Sequence, residues 1–120
     1  MSVRSITFIC LIALIATIVT SQRHNWQSGR KQSGDYLLDR QYVQNLSVQY
    51  NKVLSKLVNY PKTGSRREVI HFINATDQYT NGKGGFVSIR SGGVNYQYVQ
   101  LNFTSQRSSG INYLLEIWGR

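Results

Sequence analysis

Cysteine is almost missing from this chain: Cys10 is the single one in 120 residues, and it lies inside the N-terminal apolar run. No disulfide framework can therefore staple the domain, and no cysteine-based metal site can form in it. Long apolar runs are also missing. The longest, Ile6 to Val19, is 14 residues, short of the about 20 that a membrane-spanning helix requires. Acidic residues are scarce, with 5 Asp and Glu against 14 Lys and Arg, and there are two histidines. Catalysis is poorly provided for by such a set.

The N-terminal residues have a clear layout. Arg4 precedes the apolar run, and the small residues Thr20 and Ser21 follow it. That order predicts a secretory signal peptide over residues 1–21, cut after Ser21 to leave Gln22 as the new N-terminus. The remaining 99 residues carry 13 Lys and Arg against 5 Asp and Glu, a formal +8. A chain of that size supports one domain on its core alone. Residues 22–34, polar and rich in Gly and Ser, are expected to form a flexible basic arm with Trp26 able to dock on the domain. Residues 35–120 are expected to form the single folded domain.

Within that domain helical spacing is weak and two-residue alternation is strong. Val99, Leu101 and Phe103 alternate with polar residues, and Ile111, Tyr113, Leu115 and Ile117 follow the same rule, so both segments are strands with one core face. Val94, Tyr96 and Tyr98 stand on the opposite phase, which predicts a bulge or a rim of exposed tyrosines. VLSKLV (53–58) fits a helical turn as well as a strand. Pro61 and Gly64 mark a turn. REVIHFINAT (67–76) is β-branched and aromatic on both faces, a strand buried on at least one side. The expected fold is an all-β, small antiparallel sandwich or barrel of short strands.

The stretch TDQYTNGKGGFVSIRSGG (76–93) holds five of the ten glycines and must be tested as a phosphate loop. A P-loop places Lys and Ser or Thr after its last glycine and opens a helix. Here Lys83 precedes Gly84-Gly85, and FVSIRS reads as a strand. Asn81-Gly82 instead predicts a tight hairpin turn, and Ser91-Gly92-Gly93 the next corner. No cofactor site follows.

The five carboxylates beyond the leader are Asp35, Asp39, Glu68, Asp77 and Glu116; Asp77 sits where it would bind its own turn backbone, and Glu116 lies on a polar phase. A glycosidase pair from these two has nothing to bring it together. With His24 in the arm and His71 in a strand, neither a metal site nor a catalytic triad is expected. Three sequons, Asn45-Leu46-Ser47, Asn74-Ala75-Thr76 and Asn102-Phe103-Thr104, are candidate glycan acceptors in a secreted chain. An exposed Asn74 puts Val69, His71 and Ile73 on the core phase and leaves Ile70 and Phe72 unplaced. The bases are scattered, with no run of five. Their balance suits an anionic glycan or an acidic extracellular protein, with Arg66, Arg67, Arg90 and Arg107 as candidate contacts. Neither specific nucleic-acid binding nor stable membrane insertion is expected, and like charge favours a monomer.

The segment DQYTNGKGGFVSIRSGGVNYQYVQLNFTSQRSSGINYLLEIWG resembles the arthropod family named after multiprotein bridging factor two, many of whose members are called probable salivary secreted peptides in insects. The resemblance is carried by Asp77-Gln78 with Asn81-Gly82 and Gly84-Gly85, by Ser91-Gly92-Gly93-Val94, and by Ser105-Gln106-Arg107 with Gly110-Ile111-Asn112 and Glu116-Ile117. It implies a small secreted all-β domain and supplies no catalytic residues. The founding member is a coactivator that binds other proteins and not DNA, so a transcriptional bridging role is the alternative expectation. The leader argues instead for a secreted, non-enzymatic binding or effector protein of salivary secretion or haemolymph.

Overall fold

Alternating sequence becomes strand wherever one side can be buried and the other solvated. The computed structural model describes residues 23–120; the expected leader, its cut after Ser21 and Gln22 lie outside the described residues. Seven strands follow in order: β1 (Trp26–Gly29), β2 (Tyr36–Asn45), β3 (Ser55–Tyr60), β4 (Ile70–Asp77), β5 (Phe86–Gly92), β6 (Val99–Thr104) and β7 (Ile111–Gly119). They form two antiparallel sheets, β1-β4-β7-β2 and β3-β6-β5. The all-β sandwich expectation holds.

The core lies between the sheets. β7 contributes Ile111, Tyr113, Leu115 and Ile117, and β6 contributes Val99, Leu101 and Phe103, all buried. The Phe103 and Tyr113 rings meet across the interface at 5.3 Å between centroids, within the range of favourable aromatic pairs. Each central strand is flanked on both sides, β7 by β4 and β2, β6 by β3 and β5. Their alternation was therefore clean in the sequence.

The arm requires correction. Residues 26–29 are not flexible: they form β1 and pair with β4, Trp26 opposite Ala75 and Gly29 opposite Phe72. Trp26 packs on the core, and burying its ring offsets the ordering of a polar segment. The preceding residues are pinned too. The His24 N–H donates to Asp77 Oδ2 at 3.0 Å, Asp77 N–H donates to Asn25 Oδ1 at 2.8 Å, and the Tyr113 hydroxyl reaches the His24 carbonyl at 2.8 Å.

β4 resolves the phase conflict with a bulge. Its register against β7 shifts between Ile70 and Phe72, so that Ile70, Ile73 and Ala75 are all buried. The extra residue, His71, absorbs the change of phase. Of VLSKLV, Ser55 to Val58 resolve as the start of β3, with Val58 and the following Tyr60 in the core. Val94–Tyr98 belong to no strand but to the β5–β6 connection, where Tyr96 and Tyr98 are exposed.

The glycine stretch is a corner, but not the expected hairpin. β4 and β5 belong to different sheets, so residues 78–85 carry the chain across the sandwich. Gly82 has φ +78°, while Asn81 keeps an ordinary φ; a type I′ turn needs both positive. Gly84 is demanded by a close approach, since a Cβ there would overlap the Asp77 carboxylate. That carboxylate is wholly buried and also takes the Tyr79 N–H at 3.0 Å, as its turn position predicts.

Candidate functional site

Strand register sorts the loops into two ends. Tyr60 pairs with Val99 at one end of the three-stranded sheet, and Ser55 pairs with Thr104 at the other. Five residue steps along β6 separate them, about 17 Å at strand rise. The Tyr60 end carries the β3–β4 and β5–β6 connections; the Ser55 end carries the β2–β3, β4–β5 and β6–β7 connections.

The four candidate arginines do not share an end. Arg66 and Arg67 lie in the β3–β4 connection and Arg90 near the end of β5, all at the Tyr60 end. Arg90 falls where the β5 register shifts between Ile89 and Ser91, which lifts it out of the ladder on an edge strand. Arg107 is at the Ser55 end. Its guanidinium donates to the Asn51 carbonyl at 2.9 Å, so it clamps the β2–β3 connection and leaves the proposed cluster. Arg66 is also engaged, by Glu68 at 2.9 Å, and stands 6.0 Å over the Tyr60 ring. The hydrogen bond and charge of Glu68 raise Arg66 further above its ordinary value, and the reciprocal bond lowers Glu68. Arg67 and Arg90 remain exposed, beside a rim of tyrosines.

That rim borders an open cleft of about 290 Å³ lined by Asn59, Tyr60, Pro61, Gly64, Ser91, Tyr98, Val99 and Gln100. The floor is built by register: Asn59, Gln100 and Ser91 are successive partners across β3, β6 and β5, so their side chains share the outer face. Gln100 Nε2 donates to Asn59 Oδ1 at 2.9 Å. Ser91 Oγ and the Tyr98 hydroxyl are 3.4 Å apart. Gly92, with φ +69° and Tyr98 O where a Cβ would sit, allows the turn that places Tyr98 there. Around the β3 edge lies a second cleft of about 300 Å³, lined by Gln41, Tyr42, Lys56, Leu57, Val58, Asn59 and Lys62. Asn59 lines both. Neither lining contains a carboxylate.

Of these residues, the sequence singled out the exposed tyrosines but missed Lys56, Lys62, Asn59 and Gln100 as site members. They come from separate strands and converge only through pairing. A weak signal was present: two lysines flank the polar phase of KLVNYPK (56–62).

The remaining candidates lie elsewhere. Asp77 points into the sandwich, whereas Glu116 lies on the outer face and pairs with Arg40; they do not converge. His71 Nδ1 lies 2.8 Å from Asp35 Oδ1, with Arg120 Nε 3.7 Å from the same oxygen. Burial pushes the Asp35 carboxyl up, but the Gln32 N–H, the His71 hydrogen bond and the charges of His71 and Arg120 outweigh it and hold it below the usual value. Asn74 and Asn102 stand half-buried on the outer faces of the two sheets. Each amide is 3.4 Å from the hydroxyl of its own sequon threonine, because residues two apart share a strand face. Asn45 ends β2 and accepts the Ser47 N–H.

Residues 28–119 match the family described as transcription activator MBF2. A protein of the bumblebee Bombus ignitus, named probable salivary secreted peptide, is 39% identical over 103 residues, covering 84% of this chain and 73% of its own length. No solved structure matches. The matched span runs from within β1 to the end of β7 and so takes in both sheets: the chain belongs to the transcription activator MBF2 family.

Proposed function

We propose that the chain is a secreted, non-enzymatic binding or effector protein that meets an acidic extracellular partner through the basic, tyrosine-bearing end of its sandwich. The observation that carries this reading is the gathering of Arg67 and Arg90 at the Tyr60 end, beside exposed Tyr96 and Tyr98. A field of one sign around a cleft steers oppositely charged partners toward it. The Arg4, apolar, Thr20-Ser21 order supports secretion, as does the printed name of the bumblebee relative. The protein would act in salivary secretion or haemolymph, as a monomer.

Heparin chromatography tests the binding half. Arg67→Ala with Arg90→Ala should advance elution clearly, while Lys83→Ala, a cation of the Ser55 end, should hardly shift it. Equal shifts from both sets would reduce the charge to diffuse attraction screened by salt. Expression in insect cells tests the other half: the medium should hold protein beginning at Gln22, allowing for its cyclisation. The second reading, a transcriptional bridging protein, is favoured by the family's description. Protein retained in the nucleus with Met1 intact would establish it in place of ours.

A further inference from the structure

We propose that the two clefts meeting at Asn59 form one continuous site for an acidic oligosaccharide, laid across the β3 edge of the sandwich. This rests on the reading of the Tyr60 end as the partner-binding end, and it names the class of partner.

The first cleft has the chemistry of a sugar subsite. Tyr98 is 45% exposed and offers a ring to the apolar C–H side of a pyranose. The Gln100–Asn59 hydrogen bond uses one donor and one acceptor. It leaves Gln100 Oε1 and the Asn59 Nδ2 hydrogens for a ligand. An amide pair offering both a carbonyl and N–H groups matches neighbouring hydroxyls, each of which donates and accepts. The hydroxyls of Ser91 and Tyr98 complete the wall.

The second cleft supplies the charge. Lys56 and Lys62 line it together with Tyr42, whose ring is 61% exposed. Lys56 Nζ already donates to the Gln44 carbonyl at 3.1 Å, which fixes its position while two of its three hydrogens remain. Neither lining contains a carboxylate, and Asp39, which accepts from Gln41 beside the second cleft, is outnumbered there by Lys56 and Lys62. Both clefts are open troughs. A site for a free small molecule ordinarily encloses most of its ligand, whereas a chain polymer can lie along a trough and use both clefts at once. Linked subsites reinforce one another through effective concentration. Together these features select an extended acidic glycan over a nucleotide or a free monosaccharide.

The experiment is calorimetric titration of the full secreted chain with a heparin-derived octasaccharide. Polyvinyl sulphate oligomers of equal charge, which carry sulphates without sugar rings, and poly-glutamate serve as comparators, each at two salt concentrations. Thermal melts verify that every variant is folded. We expect 1:1 binding, with the octasaccharide preferred over polyvinyl sulphate. Tyr98→Ala and, as a second probe on the sheet face, Gln100→Ala should each weaken it at least about fivefold, the threshold of a significant interface residue. The loss should persist at high salt. Lys56→Ala with Lys62→Ala should weaken binding and flatten its salt dependence; Lys83→Ala should do neither. If Arg67 and Arg90 matter but Tyr98, Gln100, Lys56 and Lys62 do not, the basic end stands and the glycan site falls. Equal affinity for octasaccharide and polyvinyl sulphate also overturns sugar recognition. Binding to poly-glutamate alone points to an acidic protein partner, and no binding to any probe removes both proposals.

Discussion

Two tyrosines of one core should respond oppositely to the same chemical edit. Tyr60 is only 4% exposed, and among the described residues its hydroxyl is the buried side-chain polar atom with no hydrogen-bond partner. Tyr113 is fully buried, and its hydroxyl lies 2.8 Å from both the His24 and the Gly85 carbonyls. A phenol has one proton, so it donates to one of these at a time, but it serves the junction of the N-terminal segment with the β4–β5 connection. An unpaired buried polar group carries a penalty of about 1–3 kcal/mol, whereas removing a paired one imposes a similar cost on the partners left behind. Tyr60→Phe keeps the ring and should gain up to about 1 kcal/mol. Tyr113→Phe keeps the Phe103 contact but should lose about 1–3 kcal/mol.

For a domain of this size 1 kcal/mol moves the midpoint by about 4–8 °C, so the two variants should separate by roughly 4 °C or more. Thermal unfolding followed by circular dichroism at neutral pH measures this, with urea melts confirming an unchanged slope. A high-pH arm adds a control. Burial first, helped by the charges of Glu68 and Asp39 against that of Arg66, raises the Tyr60 phenol; burial and then Asp77 raise Tyr113, against the Gly85 hydrogen bond. A raised folded value means stability is present below the unfolded value of about 10 and lost as pH rises above it. Both variants should therefore flatten the alkaline decline, despite opposite effects at neutrality. If Tyr60→Phe destabilises by as much as Tyr113→Phe, the Tyr60 hydroxyl has a partner in solution and the reasoning fails.

Three further outcomes follow from the core and its pins. Leu115→Ala, at a fully buried position of the central strand, should cost about 2–5 kcal/mol, while Asn112→Ala, whose exposed amide oxygen takes only the Gln44 side chain, should shift the melting midpoint little. Asp35→Asn should reduce the loss of stability in acid: the carboxyl is held below its ordinary 3.8, so its contribution is present above that pH and disappears as pH falls through the lower folded value. Gly84→Ala should lower the midpoint far more than Lys83→Ala, because the added methyl meets the buried Asp77 carboxylate; equal, small effects in a thermal melt would show that the connection can relax.

How much of this was legible depended on what each segment buries. β6 and β7 are interior strands of their sheets, as is β4, but β6 and β7 carry no bulge of their own over the core-facing residues; alternation alone located every inward side chain from Val99 to Phe103 and from Ile111 to Ile117. β1 was unreadable because Trp26 is the single large apolar residue of a polar segment, and its strand exists only because β4 offers an edge. β4 was readable as a strand but not in phase, since the bulge at His71 puts Ile70 and Ile73 on one side, and a period of two cannot announce an inserted residue. Asn81-Gly82 has the chemistry of a hairpin, but its neighbours belong to different sheets. Local turn preference yielded to the packing of Gly84 on Asp77.

The site was harder to read than the fold for a related reason. Composition states how many cations a chain has, and only register states which end they occupy. Arg107 and Arg90 are equivalent as sequence, yet one is spent on the Asn51 carbonyl and the other is lifted out of its ladder by a bulge. Asn59 and Ser91 are 32 positions apart in sequence, and they stand in one row with Gln100 because β6 lies between their strands. The same row explains why the sheet face can be a surface for recognition without loss of stability. Its inward neighbours Val58, Leu101 and Val99 carry the core, while Asn59 and Gln100 point outward and only line a cleft. Alternation thus lets one strand hold the fold with one face and leave the other free to vary with the partner.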